Sequence, residues 1–157
     1  MNFKDLIEAS TGEYVAYLDG DDLMLPGKIK FQIDFLDSNP DCNFCSHNMI
    51  IYDHESKTQN GSFSKIKSGL YDVGDLAKFG TFFANSSKMY RRACNEAYPY
   101  YEDGFKYVGD YIWHIYHVKD KKFGYVNNTF GIYRKHSQSA SYRNNRIERI
   151  KRGFEYC

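Results

Sequence analysis

Tyr14-Val15-Ala16-Tyr17-Leu18 is a short apolar run between Gly12 and Gly20. Its β-branched, aromatic and aliphatic residues predict a buried strand, parallel in a sheet covered on both faces. Before it, Phe3, Leu6, Ile7 and Ala9 alternate with charged residues, predicting an amphipathic helix over 2–10 that closes at Thr11-Gly12. After it, Pro26 suits a first helical turn, and Ile29, Ile33 and Leu36 repeat at helical spacing until Asn39-Pro40. Asn43 to Tyr52 is apolar enough for a second strand, whereas Asp53 to Gly69, rich in Ser, Lys, Asn and Gly, predicts a surface hairpin or loop.

Further along, Asp72 to Phe79 predicts a short helix, and Phe82 to Tyr90 a strand interrupted by Asn85-Ser86-Ser87. Ile112, Trp113, Tyr116 and His117 mark another amphipathic helix with Asp110 at its N-terminal end. Phe123 to Tyr133 predicts a strand broken at Asn127-Asn128, and Arg134 to Ser141 a polar loop. Residues 142–157 form a basic tail in which Ile147, Ile150 and Phe154 keep near-helical spacing. No repeat or linker divides the chain, so 1–157 is expected to be one α/β domain.

The chemistry gathers at the end of the first strand. Asp19, Asp21 and Asp22 lie just past its carboxyl end, where open α/β sheets bind ligands. Hard oxygen donors there suit Mg²⁺ or Mn²⁺, and such an ion suits a diphosphate. The alternative is an ordinary Asp-Gly turn with Asp22 capping the next helix. A calcium loop does not fit: with Asp19 as position 1, the required glycine is Met24 and the required glutamate is Lys30.

Composition narrows the partners. The formal charge of the 157 residues is only +1, which recommends neither nucleic acid nor an anionic membrane surface. No apolar run approaches the roughly 20 residues of a membrane span, and the N-terminus does not look like a signal peptide. The expected location is cytoplasmic, extending to a peripheral place at the inner face of the membrane. Aromatics make up 18% of the chain, which serves a core or a sugar- or base-lined site equally. Cys42-Asn43-Phe44-Cys45 has CxxC spacing, but without a second pair and inside a strand-like run it reads as buried thiols.

Thr11 to Asp22, followed by Leu25-Pro26-Gly27-Lys28-Ile29, resembles the central segment of family 2 glycosyltransferases of the GT-A type, with its strand, DXD carboxylates and proline-opened helix. Ser86-Ser87-Lys88-Met89-Tyr90-Arg91-Arg92 is similar to the family's segment near the donor sugar. Tyr133-Arg134-Lys135-His136-Ser137-Gln138-Ser139 looks like its Tyr-Arg-x-His-x-x-Ser closing motif, and Gly109-Asp110-Tyr111 stands where the family usually has Glu-Asp. The resemblance implies a GT-A-like mixed sheet flanked by helices. It also implies that the chain is N-terminally truncated, beginning about a hundred residues late by the lengths of the βαβ units involved. A missing sheet edge would favour self-association and poor stability.

What the resemblance implies for activity is transfer of a sugar from a nucleoside-diphosphate donor, UDP-linked, to a hydroxyl of a glycan or lipid-linked acceptor, with inversion. Asp21 and His136 would hold Mn²⁺ or Mg²⁺. Asp19, Asp21, Ser86, Ser87 and Arg134 would bind the nucleotide sugar. Asp110 would be the catalytic base, kept ionised by the helix dipole; its simpler role is to cap that helix. Trp113, His114 and His117 are assigned to helix packing and the helix surface. The alternative function is a catalytically silent remnant that binds only an acceptor or partner. An RNA-binding module built on the basic tail is disfavoured by the near-zero net charge.

Overall fold

A computed structural model describes residues 6, 8–97 and 109–139. Of the predicted N-terminal helix over 2–10, Leu6, Glu8 and Ala9 are helical and Ser10 is not; its other residues and the basic tail lie outside the described residues.

Seven strands form one mixed sheet: β1 (Tyr14–Ala16), β2 (Leu23–Met24), β3 (Cys42–Asp53), β4 (Thr58–Ser62), β5 (Gly69–Tyr71), β6 (Met89–Arg91) and β7 (Lys122–Lys135). The order is β1-β6-β3-β7-β2, with β4 added to β3 and β5 to β7. Among the described residues only β3 and β7 pair in parallel; β1 with β6 and β6 with β3 are antiparallel. Two antiparallel steps point β1 the same way as β3 and β7, so all three deliver their carboxyl ends to one edge. The expectation of a buried strand in a parallel sheet is therefore corrected. β1 shares the direction of the parallel pair, but its immediate neighbour is antiparallel, its residues are at most half-buried, and Leu18 beyond it is 43% exposed.

Helix α1 (Lys28–Ser38) covers one face of the sheet; α2 (Val73–Phe79) and α3 (Gly109–Val118) belong to the other. Leu36 of α1 packs with Cys42, Cys45 and Met89 of the sheet. Cys42 and Cys45 share a face although they are three apart, because the β3–β7 register shifts between Cys42 and Phe44. The opposite face is built of rings: Phe44 stacks on Phe123 at 4.7 Å, and Phe82, Phe83, Tyr90, Trp113 and Tyr125 pack round them. Asp72 caps α2 with a reciprocal capping box through Asp75. Gly27, at φ 87°, opens α1 in a conformation that glycine adopts without strain.

Three local expectations change. Asn85–Ser87 is a 3₁₀ turn and only Met89–Arg91 beyond it is strand, because the turn closes on itself through Ser87 N–H to Ala84 O. Asn127-Asn128 does not end β7; the pair is a bulge, with His47 opposite Val126 and Asn48 opposite Thr129, and Asn48 Nδ2 donates to Asn127 Oδ1. The largest change concerns α1. The apolar residues Ile29, Ile33 and Leu36 predict its buried stripe, yet the fully buried positions are Lys28, Gln32 and Leu36, while Ile29 is 38% exposed.

Candidate active site

The site lies at the sheet edge where β1, β3 and β7 end. Leaving β1, the chain continues the ladder through Tyr17 N–H to Lys88 O and then turns, with Asp22 N–H donating to Asp19 O at 3.1 Å. The loop is fixed at its far end by β2, which pairs with Ile132 and Gly131 of β7. Arg134 N–H of β7 donates to Asp22 Oδ1 at 2.9 Å, and Asp22 is only 6% exposed. Burial raises the Asp22 carboxyl above its usual range. Asp22 is thus an internal tie between the loop and β7.

Asp19 is held from two sides. The Tyr17 hydroxyl donates to its Oδ1 at 2.9 Å, and the Ser86 hydroxyl donates to its Oδ2 at 3.0 Å while accepting from its backbone N–H at 2.9 Å. The Tyr17 phenol is raised by burial first, and then by the charges of Asp19, Asp110 and Asp21. Those three carboxylates therefore act on one hydroxyl, which puts Asp110, exposed in the first turn of α3, in the same field as the aspartate loop.

Asp21 and His136 meet across the mouth, His136 Nε2 lying 2.9 Å from Asp21 Oδ2. Their side chains are 41% and 23% exposed, so the pair opens to solvent. The segment carrying His136 is held by its surroundings: Ser137 N–H donates to Glu55 Oε1, His54 N–H donates to Lys135 O, and Ser139 closes a turn on His136 O. The Arg134 guanidinium donates to His54 Nδ1 at 3.2 Å.

Both serines lie below the surface. Ser86 is 1% exposed and spends its hydroxyl on Asp19; Ser87 is fully buried and donates to Ala84 O. The structure brings Asp19, Asp21, His136, Ser86 and the backbone of Arg134 into one constellation, sets α3, which carries Asp110, against it through Trp113 packed edge-on to Tyr17 at 5.8 Å, and turns the Ser87 hydroxyl away. It also adds residues that sequence reasoning missed. Lys28 Nζ donates to Ser86 O at 2.6 Å and to Tyr17 O at 3.3 Å. Lys88 is wholly buried, its amine 3.9 Å from the Trp113 ring centroid and 3.0 Å from His114 Nδ1. His114 and His117 belong to this interior and not to the helix surface, both fully buried. Both lysines stand inside the segments that resemble the family, but no role follows for them from sequence, since a single lysine in an amphipathic pattern looks solvated.

A divalent ion fits the constellation only in part. Among the described residues no group of three or more His, Cys, Asp or Glu side chains could hold one. Asp21 supplies one carboxylate, the kind of ligand Mg²⁺-like ions take from protein when substrate phosphates complete the shell; His136 adds an imidazole nitrogen, a donor less typical of such hard ions. The ion would have to displace the hydrogen bond that now joins them.

Comparison with known proteins agrees with this architecture. The family model described as glycosyl transferase family 2 matches residues 2–99. The chain belongs to glycosyl transferase family 2. Among relatives of this member, the uncharacterized proteins Rv1520 of Mycobacterium tuberculosis and Mb1547 of Mycobacterium bovis are each 30% identical over 140 residues. Those matches cover 87% of this chain but 38% of each relative. A crystal structure of S. aureus TarS 1-349 in complex with UDP-GlcNAc shares the fold at a TM-score of 0.63 and 14% identity, over 88% of this chain and 39% of TarS. The family 2 chain thus spans about two-fifths of the length of these proteins. Within its described residues no helix is long and apolar enough to cross a membrane.

Proposed function

We propose that this chain carries the metal- and acceptor-side part of a glycosyltransferase site, moving a sugar from a UDP-linked donor to an acceptor hydroxyl with inversion. The observation that supports it most is the meeting of Asp21 and His136 at the carboxyl edge of β1, β3 and β7. TarS, which shares the fold, is bound to UDP-GlcNAc. Mn²⁺ or Mg²⁺, when bound, would neutralise charge developing on the leaving diphosphate. Asp21 and His136 would hold it.

The chain's own groups supply the rest. Asp19, fixed by Tyr17 and Ser86, presents a carboxylate to the donor's ribose without rotamer search. Arg134 reaches phosphate oxygens by exchanging its bond to His54, a guanidinium being suited to paired oxygens. Asp110 takes the acceptor proton; the N-terminus of α3 favours its ionised form. The acceptor is a glycan or lipid-linked hydroxyl. Ser87 enters only by shaping the 3₁₀ turn.

UDP release from UDP-GlcNAc, followed with Mn²⁺ and an acceptor mixture, tests this reading. Asp110→Asn should keep donor binding and lose at least about a hundredfold in turnover. Full turnover by Asp110→Asn would remove Asp110 from the role of base. The alternative is a catalytically silent module that binds only an acceptor or partner. It predicts no UDP release and no metal-dependent nucleotide binding in any condition.

A further inference from the structure

Helix α1 buries Lys28 and Gln32, one turn apart, where its apolar pattern calls for hydrocarbon. Polar groups taken into a core destabilise it unless they are hydrogen-bonded, so their partners indicate what holds them there. Both reach the same short turn. Lys28 Nζ donates to Ser86 O at 2.6 Å, and Gln32 Nε2 donates to Ser87 O at 2.8 Å. Lys28 also donates to Tyr17 O, two residues before Asp19. Gln32 is retained at a cost: its Oε1 has no hydrogen-bond partner among the described residues, a penalty that an apolar residue would not carry.

The turn so gripped is the one whose Ser86 hydroxyl holds Asp19 by both its carboxylate and its backbone N–H. We infer that Lys28 and Gln32 are positioning residues for the nucleotide-sugar site. From the buried face of α1 they fix the backbone of Asn85–Ser87, so that Ser86 fixes Asp19. The inference rests on the proposed function for the identity of the ligand, but its mechanical core does not depend on any ligand. Hydrophobic residues at 28 and 32 would pack α1 against β3 as well, and would leave the turn held only by its internal bonds and by the Ser86–Asp19 contact it is meant to fix. Outer residues that orient a ligand-binding group typically matter by about 10- to 100-fold in affinity.

The test uses the full chain with Gln32→Met, which keeps the length and removes the donor, and with Lys28→Met. Amide hydrogen exchange at Asp19 is compared with amides in the middle of β3, and UDP affinity with Mn²⁺ is measured at a temperature where each variant is folded. The expected result is exchange at Asp19 faster by about tenfold with β3 unchanged, and affinity weaker by about tenfold. If Lys28→Met does not fold, Gln32→Met decides alone. Exchange at Asp19 that moves only in step with β3 would mean a purely structural role and overturn the inference. Wild-type binding with unchanged variants overturns it alone, whereas a wild-type chain that binds no nucleotide overturns the nucleotide reading and this role with it.

Discussion

Lys88 stands in a polar-looking segment, yet its amine is enclosed by Trp113, Phe44 and Tyr90, with Nζ 4.4 Å from the Phe44 centroid and 5.5 Å from that of Tyr90. Burial drives its pKa well below the usual range, partly offset by the charge of Asp110. The rings and His114 compensate some of the lost hydration, but buried charges are often replaceable by apolar groups of similar volume. Lys88→Met should therefore raise the melting temperature, by a stability gain of about 1–3 kcal/mol; a lower melting temperature would show that the cage depends on the charge. Three histidines give a second residue-scale prediction. His47, His114 and His117 are at most 1% exposed, and burial holds all three below the usual imidazole range, His47 down to about 4. Between pH 6.5 and 4 the unfolded chain binds more protons at these rings than the folded one, so stability falls as pH falls. Each ring contributes a slope of about 1.4 kcal/mol per pH unit in its window. Asp22, raised by burial, acts in the opposite sense but is one group. Urea midpoints at pH 7 and pH 5.5 should differ, with the acid sample weaker; equal midpoints would mean that these rings are not held neutral.

At the scale of elements, the contact between α1 and β7 depends on a missing side chain. A Cβ on Gly124 would run into the Phe35 ring, whose place against the sheet is set by α1. Gly124→Ala should destabilise by about 1–3 kcal/mol, as overpacking does; a melting temperature equal to wild type would show that Phe35 can move aside. Most elements were legible in the sequence. β3, α2, α3 and the end of α1 at Asn39-Pro40 follow from apolar runs, caps and breakers. β2 was not, because two residues carry no period, and its pairing with β7 is supplied by tertiary contact. In sequence Asn127-Asn128 looks like a turn that breaks β7, whereas a bulge absorbs it. The buried face of α1 is hidden for a different reason: hydrophobic periodicity locates a stripe by its apolar residues, and here two of the buried positions, Lys28 and Gln32, are polar. The site itself was legible where it is local, in Asp19-Gly20-Asp21-Asp22 and around His136. That Asp21 meets His136, or that Ser86 serves Asp19, needs the fold.

At the scale of the whole molecule, β1 lies at one end of the sheet and pairs on one side only among the described residues, with β6. Leu18, just past β1, is 43% exposed, and Leu23 and Met24 of β2, at the other end of the sheet, are 50% and 48% exposed. Open sheet edges and exposed apolar side chains favour association. Sedimentation should show a concentration-dependent mass above that of the 18.4 kDa chain; a monodisperse monomer at all concentrations would contradict this. The central claim concerns the other end of β1, where strand direction, the aspartate loop and the His136 segment converge on one metal-dependent nucleotide site. The most direct test is calorimetric titration of the chain with UDP and UDP-GlcNAc, in Mn²⁺ and in EDTA, beside Asp21→Ala. The account predicts saturable binding with Mn²⁺ that disappears in EDTA and weakens by at least about a hundredfold in Asp21→Ala, since loss of even an outer-shell partner can cost that much. Binding that is indifferent to Mn²⁺ and to Asp21, or no binding at all, would contradict it.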